Sequence, residues 1–533
     1  MIARARRTVG PTPVSTAAAG LLSLVFGIVS TLSFSPANAW WLMPVCLAGL
    51  FLLIDGSGPW RAGLLGLTFG IGWFTAGFWW IMPGLNQFTE AGPLLSAGLT
   101  AALVIYLSLF PAAAAALVGL LSWRPRGSGP TSSFSPLLCI VIASVWTLSE
   151  WCRGNAFGGM PWLTIGYSQA PGPLAGYAPV IGVYGITLVT AFLGSACAAW
   201  LTLTTNKLFW TRENFRLTGL CVALLFVGLF LKQVAWTQDT GRELTVRLLQ
   251  GNLPQQEKFS SNGLIRALST YAELASGERA DLTVLPETAF PIAWSSLPAG
   301  VLSFWHSLSR TQNSVVLIGA AALSEIGSGS DAAMTNSAFA IGPAAVSATD
   351  AIYRYDKSRL VPFGEFMPPG AKWLAPRLNV NFGEFVPGTT HLPALKVADA
   401  AVAIGICFEN LFDVETAIKA ENANLIVNIS NFAWFANSYA PAQHLQAGQM
   451  RALETGRWLV QSANTGITAV VDEHGVVSDA LPPNVSGVLY AHVKTFSGNT
   501  PFMVAGNKPL LSFCLAAIAV ALVRRFGRKD RGT

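Results

Sequence analysis

Val402-Ala403-Ile404-Gly405-Ile406-Cys407-Phe408-Glu409-Asn410 is a short apolar run that ends on a thiol, with a carboxylate two residues further on. A run this short, bounded by polar residues, reads as a strand covered on both faces. The segments 244–250, 282–285, 314–321, 337–341, 425–429, 458–463, 468–471 and 488–493 have a similar strand-like character. Helical patterns at 263–273, 302–310, 414–420 and 443–454 lie between some of them. Buried strands alternating with helices predict a layered α/β domain of about 250 residues, spanning 241–497.

Outside that domain the chain changes character. Of its 533 residues, 52% are apolar and only 11% charged, and the mean hydropathy is +0.48. That composition excludes an ordinary soluble globular protein. Runs long enough to cross a hydrocarbon core of about 30 Å fall at 15–34, 38–54, 62–82, 93–122, 136–152, 178–203 and 217–236, and again at 509–524. The expected organisation is therefore a seven-helix membrane bundle over 1–240, the α/β domain over 241–497, and an eighth span with a basic tail over 498–533.

Short-loop charges set the orientation, because Lys and Arg stay on the cytoplasmic side. With the N-terminus inside, the inside segments carry Arg4, Arg6, Arg7, Arg61, Arg124, Arg126, Lys207, Arg212, Arg216, Arg524 and Arg525 among others, and the outside loops only Arg153. Both ends are then cytoplasmic and the α/β domain is exported. The net charge of +6 reads as a topology signal and implies no nucleic-acid partner. Ala37-Asn38-Ala39 resembles a signal-peptide cleavage site, but the apolar stretch before it exceeds a usual signal core, so an uncleaved first span is expected.

Six of seven cysteines, Cys46, Cys139, Cys152, Cys197, Cys221 and Cys514, fall in or beside the spans, where a thiol is a small apolar side chain. Cys407 alone belongs to the exported domain, so it has no disulfide partner there and is either buried filler or chemistry. Two further ionisable residues sit beside strand-like segments: Glu287 in Leu285-Pro286-Glu287-Thr288 and Lys357 in Tyr355-Asp356-Lys357-Ser358. Taken singly, Glu287 reads more readily as a surface carboxylate, and Lys357 more readily as a solvated partner of Asp356.

Together they make a complete site. A thiol needs a base for its proton and a cation or dipoles for its thiolate. Glu287 suits the base and Lys357 the cation. Lys357, with the backbone N–H of Phe408, could hold an oxyanion, while Glu365 would orient Lys357 or complete a proton relay. Glu409 lies beside the same turn. Trp434, Phe435 and Phe363 read as walls or gates as readily as core packing, and Asn431 reads as a pocket contact, although a turn-forming asparagine is the commoner case. The five histidines lack metal-ligand spacing, and no metal is expected.

The order Glu287, Lys357, Cys407 within these local sequences resembles the nitrilase superfamily, and the spans around the domain resemble its membrane branch, the apolipoprotein N-acyltransferases of bacterial inner membranes. Gly159-Met160-Pro161-Trp162, Gln250-Gly251-Asn252, Leu360-Val361-Pro362-Phe363-Gly364-Glu365, Ala433-Trp434-Phe435 and Asn464-Thr465-Gly466 look like family sequence. Phe408 stands where the family often has tyrosine, and Phe259 where it often has tryptophan.

The resemblance implies an α-β-β-α sandwich and a substrate-binding role for Trp162, Phe259 and the aromatic pair. It implies a phospholipid donor giving its sn-1 acyl chain, a diacylglyceryl-cysteine apolipoprotein acceptor, and a Cys407 thioester between them. No cofactor is required, and a monomer in the inner membrane with a periplasmic domain is expected. Two rivals differ in kind. A membrane-tethered amidase or nitrilase would use the same triad with water as acceptor. A transporter would need charged residues within its spans, where only Asp55, Glu150 and Lys232 lie near span ends.

Overall fold

The computed structural model describes residues 15–88, 92–122, 135–205, 212–258, 260–324, 333–343, 353–367, 370, 373, 385–389, 392–435 and 437–526. Its N-terminal part consists of α1 (Thr16–Ser30), α2 (Leu42–Ile54), α3 (Pro59–Gly77), α4 (Ile81–Phe88), α5 (Gly92–Ser122), α6 (Pro136–Asn155), α7 (Ala178–Thr205) and α8 (Arg212–Leu231). Glycines let these helices touch backbone to backbone. A Cβ on Gly27 would lie 2.1 Å from Phe69 O and one on Gly72 2.2 Å from Leu24 O, locking α1 against α3. Gly66 does the same for α3 and α5, at 2.4 Å from Pro111 O. Without water to drive burial, close approach of small residues is what holds membrane helices together.

Among the described residues five helical segments are long and apolar enough to cross a membrane, or six if α3 and α4, bent by 51° at Phe78-Trp79-Trp80, count as one span. That is fewer than the eight spans read from hydropathy. Helix α2 has only 13 residues and is followed by Asp55 at its C-cap. The last apolar helix, Lys508–Phe526, carries Lys508 at its start and Arg524 and Arg525 in its last turn.

The C-terminal part is built on period-two alternation. In β1 (Gln238–Gln250), Leu244, Val246 and Leu248 enter one core while Leu249 enters another. In β8 (Ala400–Ile406), Val402, Ile404 and Ile406 meet the same first core while Ala403 turns to a third.

The first sheet runs β13-β1-β2-β4-β5-β6, made of β1 with β2 (Leu282–Val284), β4 (Val315–Leu323), β5 (Met334–Ile341), β6 (Tyr353–Asp356) and β13 (Gly487–Ser497), and β3 (Phe290–Ala293) lies beside β4. The second runs β12-β11-β10-β9-β8-β7, made of β7 (Leu395–Val397), β8, β9 (Leu425–Ser430), β10 (Leu459–Ala463), β11 (Thr468–Val471) and β12 (Val477–Leu481). Helices α10 (Ser261–Leu274) and α11 (Ala299–Gln312), which follow the single turn α9 (Gln255–Lys258), cover the first sheet. Helices α12 (Asp413–Ala420) and α13 (Ala440–Thr455) cover the second. The result is the α-β-β-α sandwich, a nitrilase-like fold, joined to several apolar helices.

Specific polar contacts tie the sandwich to the helices. Helix α7 breaks at Gly182 (φ 65°), which frees the Val183 N–H, and Glu454 of α13 accepts it at 2.7 Å while pairing with Arg451 at 2.8 Å. The Tyr167 hydroxyl donates to Leu411 O at 2.8 Å, four residues after Cys407. Buried polar groups of this kind demand partners, and here the Val183 N–H and the Tyr167 hydroxyl find theirs across the junction.

Candidate active site

Cys407 terminates β8 with φ at +50°, a left-handed conformation that costs a non-glycine residue about 1–3 kcal/mol. Thr288 (φ 51°), next to Glu287, and Phe363 (φ 64°) share it. Each of these three stands at or beside a residue named from the sequence. Three groups hold the Cys407 turn. His444 Nε2 lies 2.9 Å from Cys407 O; a carbonyl only accepts, so Nε2 carries the hydrogen. Burial lowers the His444 pKa and keeps the ring neutral. Asn428 Nδ2 adds a longer contact to the same carbonyl.

The third is Glu409, buried and surrounded by donors. It accepts from Ile406 N at 2.7 Å, Tyr355 OH at 2.6 Å and Ser358 N at 2.8 Å, and pairs with Lys419 at 3.2 Å. It thus ties the thiol turn to the segment that carries Lys357. Burial alone would raise its pKa, but Lys419, Ser358, Tyr355 and the Ile406 N–H hold it below the ordinary carboxylate range. A depressed folded-state pKa means that its contribution to stability is complete above the unfolded value of about 4.3 and disappears as pH falls through the folded one. Glu409→Gln, which turns an amide N–H toward donors and leaves Lys419 unpaired, is expected to cost about 3–5 kcal/mol and to flatten the acid limb of thermal stability, as measured by unfolding in detergent across pH. An unchanged acid limb would remove this role.

Lys357 follows β6, and its N–H bonds Asn336 O on the antiparallel neighbour β5 at 2.8 Å. Its ammonium sits between two carboxylates, 3.1 Å from Glu287 Oε1 and 3.0 Å from Glu365 Oε1. Asn336 Nδ2 bridges the same two oxygens at 2.7 and 2.6 Å. Val361 N, in the turn that contains Phe363, fixes Glu365 Oε2 at 2.7 Å. Burial works against the Lys357 charge, but Glu287 and then Glu365 outweigh it, so the pKa is raised and the ammonium stays charged. Cys407 feels the opposite balance. Burial and the Glu287 carboxylate push the thiol up while Lys357 pulls it back, and the net shift is upward. Burial and the Glu287 charge thus favour the neutral thiol at rest.

The structure thus brings Glu287, Lys357, Glu365 and Cys407 together. Phe408 is buried and stacks edge-on to Phe412, with ring centroids 5.3 Å apart. Trp434 and Phe435 line an open cleft with Trp79 and Trp80 from the α3–α4 bend, Gly84 of α4, and Asn252 and Gln255. Trp162 lies behind this wall, buried against Trp80, and its indole donates to Gln443 Oε1 at 2.8 Å. Asn431 Oδ1 is engaged by Asn464 Nδ2 at 3.1 Å and Ala433 N at 3.2 Å, and its backbone N–H reaches Cys407. Phe363 is exposed and does not line this cleft, and Phe259 lies outside the described residues. Asn336 and Tyr355 were missed, since polar residues within strands carry no sequence signal of their own. His444 falls within the predicted helix 443–454, whose pattern carries no sign of its contact with Cys407.

Residues 26–196 match the apolipoprotein N-acyltransferase N-terminal domain, and residues 245–497 match carbon-nitrogen hydrolase. The apolipoprotein N-acyltransferase of Ralstonia nicotianae is 39% identical over 513 residues, covering 95% of this chain and 93% of its own. Those of Nitrosomonas europaea and Chromobacterium violaceum are 36% and 34% identical, covering 96% of this chain in each case and 98% and 95% of their own. With both halves matched and relatives similar over nearly the full length, the chain belongs to the apolipoprotein N-acyltransferase family.

Proposed function

We propose that this enzyme moves the sn-1 acyl chain of a phospholipid, phosphatidylethanolamine foremost, through a Cys407 thioester to the N-terminal amine of a diacylglyceryl-cysteine lipoprotein. Glu287 takes the thiol proton as Sγ attacks the ester carbonyl. Lys357 and the Phe408 N–H stabilise the oxyanion, and the proton passes from Glu287 to the departing lysophospholipid oxygen. The amine then attacks the thioester, loses its proton to Glu287, and Sγ leaves as the restored thiol. Each transfer is easier than direct amide formation.

The observation that carries this reading is the cleft, because membrane helices and the sandwich supply its walls jointly through Trp79, Trp80, Trp434 and Phe435. A hydrolase of small soluble amides has no need of a wall from apolar helices, whereas two lipid substrates do. In the proposed arrangement eight spans, seven in 1–240 and one in 498–533, keep both ends in the cytoplasm and present 241–497 to the periplasmic face of the inner membrane, as a monomer. Purified protein in phosphatidylethanolamine vesicles with a synthetic diacylglyceryl-cysteine peptide is expected to release one lysolipid for each N-acylated peptide. Free fatty acid with unmodified peptide would identify a hydrolase and end this reading.

A further inference from the structure

Helix α13 opens where the membrane helices meet the sandwich, and two adjacent residues in its first turns bond in different directions. Gln443 Oε1 accepts the Trp162 indole N–H at 2.8 Å, while His444 Nε2 donates to the Cys407 carbonyl at 2.9 Å. Both side chains are buried. Neighbours on a helix are rotated by about 100°, so one turn reaches the 159–164 loop and the nucleophile at once. Each end of this bridge is itself fixed. On the membrane side Arg153 of α6 donates to Trp162 O at 2.7 Å and to Met160 O, and Glu150 of α6 accepts from Ile165 N at 2.9 Å. The Trp162 ring lies 5.4 Å from that of Trp80, which lines the cleft, and 6.3 Å from that of His444. Tyr439, the residue before α13, meets Trp79, also on the cleft, edge-on at 5.9 Å. On the sandwich side Phe432 packs edge-on to His444 at 5.0 Å, and the Cys407 backbone at φ +50° is of the kind that persists only where its surroundings impose it.

Acyl transfer from a membrane lipid makes a demand that a small soluble ester does not. The lipid's ester carbonyl is held by the walls that grip its chains, so Sγ must be registered against those walls, and a misplacement of about 1 Å can cost 10²-fold in rate. Wall and nucleophile are joined here by a continuous set of contacts that runs from Trp80 through Trp162 to Gln443 and His444 and ends on the Cys407 carbonyl. We infer that Gln443 and His444 are positioning residues for the first half-reaction: His444 fixes the Cys407 turn, and Gln443 fixes that turn relative to the lipid cleft. Neither touches the reacting atoms. The inference rests on the reading of Cys407 as acyl carrier and of the cleft as the lipid site.

Two acyl donors separate these roles: phosphatidylethanolamine in vesicles, and p-nitrophenyl butyrate, which is too small to need the cleft walls. Acylation of Cys407 is read in a single turnover as lysolipid released from the first and as a burst of p-nitrophenol from the second. Gln443→Leu should slow acylation by phosphatidylethanolamine roughly 10²-fold and leave the p-nitrophenol burst near the parent rate. Combining it with Trp162→Phe removes both partners and strands no indole N–H, so the double variant should unfold at the parent temperature and still show the selective loss. His444→Leu should slow both donors, and His444→Gln, whose amide N–H can reach the same carbonyl, should restore both. Equal slowing of the two donors in Gln443→Leu and the double variant overturns the inference, as do parent rates with phosphatidylethanolamine in Gln443→Leu or in His444→Leu. A parent protein that gives neither lysolipid nor burst would instead remove the proposed function itself.

Discussion

Cys407→Ala is expected to accept no acyl chain and to yield no N-acylated product at any substrate concentration. The substitution deletes the only atom able to form the thioester and little else. Alanine meets the same backbone strain at φ +50° as cysteine, and losing one partly buried sulfur costs about 1 kcal/mol, so the variant should remain folded with Glu287, Lys357 and Glu365 in place. Cys407→Ser keeps a hydroxyl at that position and should bind both lipids without turnover. Mass spectrometry of the alanine variant after incubation with phospholipid checks this directly. A normal adduct there would place the acyl chain on another residue.

Glu287→Gln is the second large effect, a fall of about 10²–10⁴-fold in the rate of acyl-enzyme formation. Glutamine keeps an oxygen for Asn336 and Lys357 to donate to, which now reach Glu287 Oε1 at 2.7 and 3.1 Å, so shape and most contacts survive. What goes is the capacity to take a proton from a thiol whose pKa burial has raised. Lys357 also loses the first of the two carboxylates that keep it charged, weakening the oxyanion site at the same time. Glu287 lies outside the apolar core in which the membrane helices pack, so insertion should be unaffected and the loss will read as chemistry. Single-turnover acylation within tenfold of the parent would mean that another group acts as base.

Much of the sandwich was legible in the sequence because buried strands show themselves as short apolar runs. The segment 468–471 and the structure's β11 coincide, and 425–429 differs from β9 by one residue. The strands β3, β6, β7 and β12 were not read. Tyr353-Arg354-Tyr355-Asp356 alternates aromatic and charged residues at an edge, and such strands lack the apolar continuity of central ones. Hydropathy likewise could not see the bend at Phe78-Trp79-Trp80, whose aromatic residues continue the apolar run while the backbone turns. Of the site, Cys407, Glu287 and Lys357 were visible because each ionisable side chain stands beside an apolar segment. Asn336, which bridges Glu287 and Glu365, acquires its meaning only from burial. Glu409 was placed near the thiol, but its contacts make it an anchor of the turn and not a group facing substrate.

The most direct test of the central claim is intact-mass analysis of the protein purified from bacterial membranes, followed by peptide mapping before and after hydroxylamine. The account predicts a fraction of molecules carrying a single fatty-acyl mass on the peptide containing Cys407, removed by hydroxylamine and absent from Cys407→Ala. An unmodified Cys407 peptide under conditions in which the same preparation N-acylates lipoprotein would contradict it.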